Sequence, residues 1–380
     1  MKILHVITSL NRGGAEIHLL NLVTEQIKNG YKVQVVFWKK NADLIKYFKK
    51  INVRTYCLNQ NNFFFEKKVI FNFIFCCLRL NKVIKSFNPV ILHAHLPFSE
   101  LISYFNLIFR KKIQFIISKH IDTVYFSKDN NRKSFIGKKL ELIVSHRAKK
   151  IICISEAVKK FMSSKYIGIN KGKLAKVYYG LDFKSYNDSN FSPKLKKLKS
   201  KLRGKKIIGT ISRLVPQKRI DLMIQAFSKY NLSYEKNSFL IIVGQGPQKE
   251  NLKELSKKLK INDKIIWIDY LDDIKSFFSL INIFCLTSEH EGFGIVTLEA
   301  FYNKKPIICT HAGSLPEIVK NNYNGICLRK NKLHLLPKYF HLLMLKKNTK
   351  FIIKNAIKTL NKKFTNKQMF KKTDRIYRAK

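Results

Sequence analysis

The chain reads as α/β, with two doubly wound domains in tandem and a cleft between them. Three observations predict this. Its 380 residues are too many for one ordinary α/β domain and suit two. Short apolar runs alternate with helical stretches, which argues for parallel sheets covered on both faces. The rhythm breaks once, at Asp182–Lys206, where Asn187-Asp-Ser-Asn, Ser192-Pro193 and a lysine run read as a linker, and then it restarts.

The first domain opens with the run Lys2–Thr8, then Gly13-Gly14, then a helical pattern ended by Asn29-Gly30. Tyr31–Trp38, Ile51–Leu58, Val90–His95, Ile113–Ile117 and Lys150–Ile154 are its further strands. The second domain has strand candidates at Lys206–Ile211, Phe239–Val243, Ile265–Ile268, Ile283–Leu286, Pro306–Cys309 and Gly325–Leu328. Asn331–Lys380 reads as helical, with a dense lysine face and Asp374 as its one acid. Ligands of such sheets bind beyond the carboxyl ends of the strands. The notable loops fall at those ends.

The formal net charge is +50, from 74 Lys+Arg against 24 Asp+Glu. Part of this reflects abundant lysine; the shortage of acids points to an anionic partner, a membrane surface or nucleic acid. The seven cysteines have no metal-ligand spacing and read as buried small hydrophobes in a reducing compartment. The N-terminal apolar run is too short for a secretory signal, and no run approaches the roughly 18 apolar residues of a membrane-spanning helix. Phe63–Phe87 interleaves aromatics with Lys67, Lys68, Arg79, Lys82 and Lys85, and is expected to turn its apolar face inward and its basic face towards lipid phosphates.

The most informative stretch is Ser288–Glu299. A buried strand ends in Glu291-Gly292-Phe293-Gly294, and the following segment reads as a helix with Glu299 in its second turn. Free backbone N–H groups at such a helix start favour anionic or hydroxyl-rich ligands. Ser212–Lys218 puts Arg213 and Lys218 in one βα loop, where an arginine fork and a lysine point charge can neutralise a diphosphate; two exposed cations in a lysine-rich chain are the plainer alternative. Gly244-Gln-Gly-Pro247 permits close approach by a nucleotide, or is an ordinary turn. The same choice holds for Gly13-Gly14. His93 and His95 alternate onto one face; no third metal ligand can be named beside them, so packing or a structural hydrogen bond is expected. His120, just past a strand, could polarise a sugar or position a hydroxyl. There is no Asp-x-Asp, so side-chain cations rather than a metal are expected to stabilise a departing diphosphate.

Taken in order, Gly13-Gly14-Ala-Glu16, His93-Ala-His95, His120, Ser155-Glu156-Ala157, Tyr179-Gly180-Leu-Asp182, Arg213…Lys218, Gly244-Gln-Gly-Pro247, Glu291-Gly-Phe-Gly-x4-Glu299 and Gly313-Ser-Leu-Pro-Glu317 resemble the retaining glycosyltransferases of family 4. The resemblance spans nearly the whole chain, and the E-x7-E element is its most specific part. It implies the GT-B fold, two Rossmann-like domains facing a central cleft. Residues 1–186 would form an acceptor-side domain and 187–363 a nucleotide-sugar domain, with 364–380 crossing back to the first. It further implies a nucleotide diphosphate sugar donor, no metal or other cofactor, and retention of anomeric configuration. Glu299 would hold the ribose and Glu291 the donor sugar, beside the amides of Gly292, Phe293 and Gly294. Arg213 and Lys218 would bind the diphosphate, Gly244 would admit the nucleotide, Gly14 would approach the diphosphate, and His120 would sit near the reacting carbon. Two departures stand out: Lys119 before His120, and Gln245 where an acidic residue is common.

The expected acceptor is a lipid-linked or lipopolysaccharide- or capsule-type glycan, and the expected place is the cytoplasmic face of a membrane, peripherally. The competing class, a nucleic-acid-binding protein, has the charge in its favour but no recognisable module, and its basic residues are spread along the chain.

Overall fold

The computed structural model describes residues 1–39, 42–59, 69–121, 131–164, 168–182, 193–271, 274–345 and 349–379. The expected domain boundary at 186/187, and residues 63–68 of the aromatic-basic segment, lie outside them. The chain divides into two compact units, Met1–Leu181 with Thr365–Lys380, and Asp182–Phe364.

Unit 1 runs β1 (Lys2–Ile7), α1 (Gly14–Lys28), β2 (Lys32–Phe37), α2 (Ile45–Lys50), β3 (Arg54–Cys57), α3 (Val69–Phe87), β4 (Ile91–His95), α4 (Pro97–Leu107), β5 (Gln114–Lys119), α5 (Asn131–Arg147), β6 (Lys150–Cys153), α6 (Glu156–Met162) and β7 (Leu174–Lys176). Its sheet has the order β3-β2-β1-β4-β5-β6-β7, and every pairing is parallel. Unit 2 runs α7 (Pro193–Lys201), β8 (Lys206–Ile211), α8 (Ile220–Ser233), β9 (Ser238–Val243), α9 (Lys249–Lys258), β10 (Ile265–Ile268), α10 (Ile274–Leu280), β11 (Ile283–Leu286), α11 (Ile295–Tyr302), β12 (Ile307–Thr310), α12 (Leu315–Ile318), β13 (Ile326–Leu328), α13 (Leu336–Met344) and α14 (Thr349–Lys363). Its parallel sheet has the order β10-β9-β8-β11-β12-β13.

The strands are apolar almost end to end because helices cover both faces of each sheet. In each sheet the strand order turns back once, between β1 and β4 and between β8 and β11. That reversal opens the loops on either side of it and makes it the natural ligand position.

The last helix, α15 (Asn366–Arg378), belongs to unit 1. Thr365 caps it by accepting from the Gln368 amide at 3.3 Å. Met369, Phe370 and Tyr377 enter the unit 1 core, which stabilises the docked helix by roughly 1.5–3 kcal/mol per fully buried side chain. Lys367, Lys371, Lys372, Arg375 and Arg378 face outward. A β-carbon at Gly180 would come within 2.7 Å of the Asn366 backbone, so only glycine lets the chain pass the start of this helix. The tail's single acid is internal to the unit: Asp374 accepts from Tyr31 and is paired with Arg378 at 2.9 Å.

Two expectations need revision. β7 was not anticipated; it is three residues long, preceded by Lys173 and ending in Lys176, too short for periodicity to register. On α3 the inward stripe is narrow, Cys76, Leu80 and Ile84, so the outward face is not purely basic. It exposes Phe71, Ile74, Phe75 and Leu78, with the Arg79 guanidinium 4.2 Å from the Phe75 ring centroid.

Candidate active site

In unit 2, β8 and β11 are neighbours at the reversal, so the loops that follow them meet. The β8 loop is fixed to the β11 loop through its backbone carbonyls. Glu289 N donates to Gln217 O at 2.8 Å, and Thr287 Oγ1 donates to the carbonyls of Lys218 and Arg219 at 3.1 and 2.8 Å. This brings Lys218 Nζ to 2.6 Å from Glu291 Oε2, which also accepts from Ser288 Oγ at 3.2 Å. The two side chains remain 13% and 14% exposed, so a ligand can reach both charges. The Glu291 carbonyl accepts from the Ser314 amide at 3.0 Å, so a third loop holds the backbone of this residue.

Arg213 is exposed in the same β8 loop. Gly244 and Gly246 serve that loop directly: a β-carbon on either would strike the carbonyl of Ser212 or of Leu214. With φ of 145° and 156°, both positions suit glycine alone. The turn lets Leu214 N donate to Gln245 O at 2.8 Å, so the glycines explain the loop packing whatever else they admit.

Gly292 is half-buried, and Phe293 is buried edge-on to Phe364, ring centroids 6.0 Å apart. Gly294 caps the start of α11. Glu299, 3% exposed, lies in the second turn of that helix. A cavity of about 550 Å³ elsewhere in unit 2, with His311, Lys320, Arg329 and Lys332 among its lining, includes none of Arg213, Lys218, Gly244, Glu291 and Glu299.

In unit 1, Gly14 is exposed at the first position of α1. Beside it Glu16 accepts from Ser9 Oγ at 2.6 Å. His120 is 6% exposed and belongs to a cluster the sequence disclosed only in part. The sheet register sets His5 of β1 beside His93 of β4. His5, His93 and His95 bring ligand atoms within 4.8 Å of one another, so the third imidazole that sequence reasoning could not name is His5. All six of their ring nitrogens are hydrogen-bonded to protein. His18 of α1 stacks on Tyr179, centroids 4.3 Å apart, and lies edge-on to His120 at 5.5 Å.

Burial holds these imidazoles neutral. It lowers His5 to about 4 against a smaller opposing effect of the Gln26 hydrogen bond. Burial, then the neighbouring Lys119 charge, lowers His120 to about 3. Burial also takes His18, His93 and His95 well below the ordinary histidine value.

Lys119, a departure in the sequence, is a buried cation paired with Glu100 of α4 and Glu141 of α5. The two carboxylates raise its pKa against the opposing effect of burial. The signal was present: two of the chain's scarce acids lie in helices flanking that strand.

Residues 12–185 match the family described as Glycosyltransferase Family 4, and residues 192–359 match Glycosyl transferases group 1. The chain belongs to the family 4 glycosyltransferases. An O-antigen biosynthesis glycosyltransferase of Escherichia coli, WclY, is 25% identical over 89% of this chain and 92% of its own. The capsular polysaccharide biosynthesis glycosyltransferase CapM of Staphylococcus aureus is 27% identical over 64% of this chain and 65% of its own. Among solved structures, Anabaena Alr3699/HepE in complex with UDP and glucose superposes with a TM-score of 0.82 at 17% identity over 98% of both chains. The lipopolysaccharide outer core galactosyltransferase WaaB does so with 0.70 at 18% identity over 99% of both chains. The fold of this glycosyltransferase is GT-B, as the sequence predicts. Among the described residues no helix is long and apolar enough to cross a membrane.

Proposed function

We propose that this glycosyltransferase moves a sugar from a nucleotide diphosphate donor to a lipid-linked, lipopolysaccharide- or capsule-type glycan, with retention and without a metal. The observation that carries the donor assignment is the Lys218–Glu291 pair at the reversal of the unit 2 sheet. A cation beside a carboxylate that is still reachable offers a partner for diphosphate oxygens and an acceptor for sugar hydroxyls at one point. Arg213, exposed in the same loop, adds a second phosphate partner. Glu299 takes the ribose hydroxyls, and the amides around Gly292 and Gly294 accompany Glu291 at the sugar. In this reading the departing phosphate accepts the acceptor's proton, so no side chain is assigned as general base. The donor roles of Gly14 and His120 rest on the family pattern.

Donor type is supported by HepE, whose complexes hold UDP with glucose and UDP-glucose; acceptor type is supported by the O-antigen and capsular relatives. The peripheral membrane part is supported by the exposed Phe71, Ile74, Phe75 and Leu78 of α3 beside Arg79, in a chain of net charge +50.

The test is incubation with a panel of nucleotide sugars and candidate glycolipid acceptors, with mass detection of released nucleotide and of the product. One donor is expected to turn over, with the anomeric configuration kept and no loss in chelator. Product of inverted configuration, or activity abolished by chelation, contradicts the mechanism. Vesicles containing anionic lipid should retain the protein at low salt and release it at high salt; no retention contradicts the membrane part.

A further inference from the structure

Unit 1 contains an unbroken chain of hydrogen bonds through three imidazoles. His5 Nε2 meets Gln26 Oε1 at 2.9 Å, and His5 Nδ1 meets His95 Nε2 at 3.0 Å. His95 Nδ1 meets His120 Nε2 at 3.1 Å, and His120 Nδ1 meets the Tyr179 hydroxyl. The buried surroundings keep the rings neutral, and a neutral ring has one N–H and one acceptor nitrogen. Four links therefore need four protons: one from each ring and one from an end of the chain, the Tyr179 hydroxyl or the Gln26 amide.

The direction of the whole chain follows from its end. An amide oxygen only accepts, so His5 donates from Nε2 and accepts at Nδ1. His95 then donates from Nε2 to His5, His120 donates from Nε2 to His95, and Tyr179 donates to His120 Nδ1. Turning the Gln26 amide over would place an N–H against His5 and reverse every link.

A second branch turns on the same amide. Gln26 Nε2 donates to the Tyr377 hydroxyl at 3.3 Å, and that hydroxyl lies 2.6 Å from His93 Nδ1. His93 Nε2 lies 2.8 Å from Ser118 Oγ. With Tyr377 donating to His93 and His93 donating to Ser118, every buried polar group of both branches has its partner; with the amide turned over, Ser118 would donate to His93, His93 to Tyr377 and Tyr377 to Gln26, so both branches turn together with this one amide. Gln26 is fully buried at the junction, and Tyr377 comes from α15.

We infer that Gln26 is a positioning residue: its amide, held by Tyr377 of the C-terminal helix, sets the tautomer of His120 with the proton on Nε2 and Nδ1 as an acceptor. A ligand hydroxyl that shares or replaces Tyr179 at Nδ1 then donates to it; in the reversed chain it would have to accept. The functional half of this inference rests on the donor role proposed for His120, whereas the tautomer does not.

NMR of ¹⁵N-histidine-labelled protein reads both. In the wild type His5, His95 and His120 should each show a protonated Nε2 and an unprotonated Nδ1. Gln26→Leu should mix the tautomers of His120 and lower kcat about tenfold, the equivalent of one lost buried hydrogen bond, with the donor KM much less affected. A proton on Nδ1 of wild-type His120, displacement of the ring protons by stoichiometric Zn²⁺, or an unaltered His120 signal in Gln26→Leu overturns the inference. So does a mixed tautomer with unchanged kcat. Where Gln26→Leu does not fold, the wild-type tautomer decides alone. Failure of every donor to turn over with wild-type protein would instead count against the donor role of His120 and leave the tautomer result standing.

Discussion

The two units share one topology and use it in opposite ways. Each is a parallel sheet whose strand order reverses once. At the unit 1 reversal lie neutral imidazoles bonded to one another and buried. At the unit 2 reversal lies an ion pair whose members are still partly exposed. All five buried histidines are in unit 1; the four of unit 2, His290, His311, His334 and His341, are exposed or half-buried. Topology thus selects where polar chemistry collects, and burial decides whether it is charged or neutral. A charge that must meet a charged ligand has to keep some solvent access, because full desolvation costs several kcal/mol per ion.

The largest predicted departure from this contrast is at Lys119, the buried charge of unit 1. Lys119→Met leaves Glu100 and Glu141 buried without their cation and should cost about 3–5 kcal/mol. Trp38 lies in unit 1 and Trp267 in unit 2, so single-tryptophan variants report the units separately. The denaturant midpoint read by Trp38 should drop while that read by Trp267 holds; an equal drop in both would mean that the charge is not local to unit 1.

Acid should separate the units next. His5 and His120 have folded-state pKa values near 4 and 3, below the unfolded value of 6.5. They bind fewer protons folded than unfolded, so their stability is intact above pH 6.5 and falls as pH drops through it. Each contributes a slope of up to about 1.4 kcal/mol per pH unit between those limits. Glu141, pushed up to about 7 chiefly by burial, acts in the opposite sense and costs stability as pH rises from about 4.5 to 7. The histidines outnumber it, so unit 1 should unfold at a higher pH than unit 2. Coincident acid transitions at both tryptophans would contradict the burial argument.

Much of unit 2 was legible because its signals are local. A buried strand, a Gly-Phe-Gly turn and a glutamate one helical turn further on lie within the 17 residues from Ile283 to Glu299, and the strand–loop–helix order itself orients them. The unit 1 cluster is non-local. His5 looks like one polar residue in an apolar strand, and only the register against β4 sets it beside His93. Gln26, Tyr179 and Tyr377 come from α1, the segment after β7 and α15, and no periodicity links such distant positions. His18 sits on the buried side of α1, where a histidine reads as ordinary core. Lys119 was visible as an oddity, but its two carboxylates are brought to it by helix packing rather than by spacing. On α3 the amphipathic pattern was real, but the side that needs burial is narrower than the side that is apolar.

The central claim is that Lys218 holds the donor's diphosphate. It is tested most directly by calorimetric binding of the nucleoside diphosphate released by the productive donor, to wild type and to Lys218→Ala. Lys218 is partly exposed, so the variant should fold with a stability within about 1 kcal/mol of wild type. Its affinity should fall at least tenfold, the loss of one charge-assisted hydrogen bond to phosphate. Equal affinity in a folded Lys218→Ala protein would contradict the account.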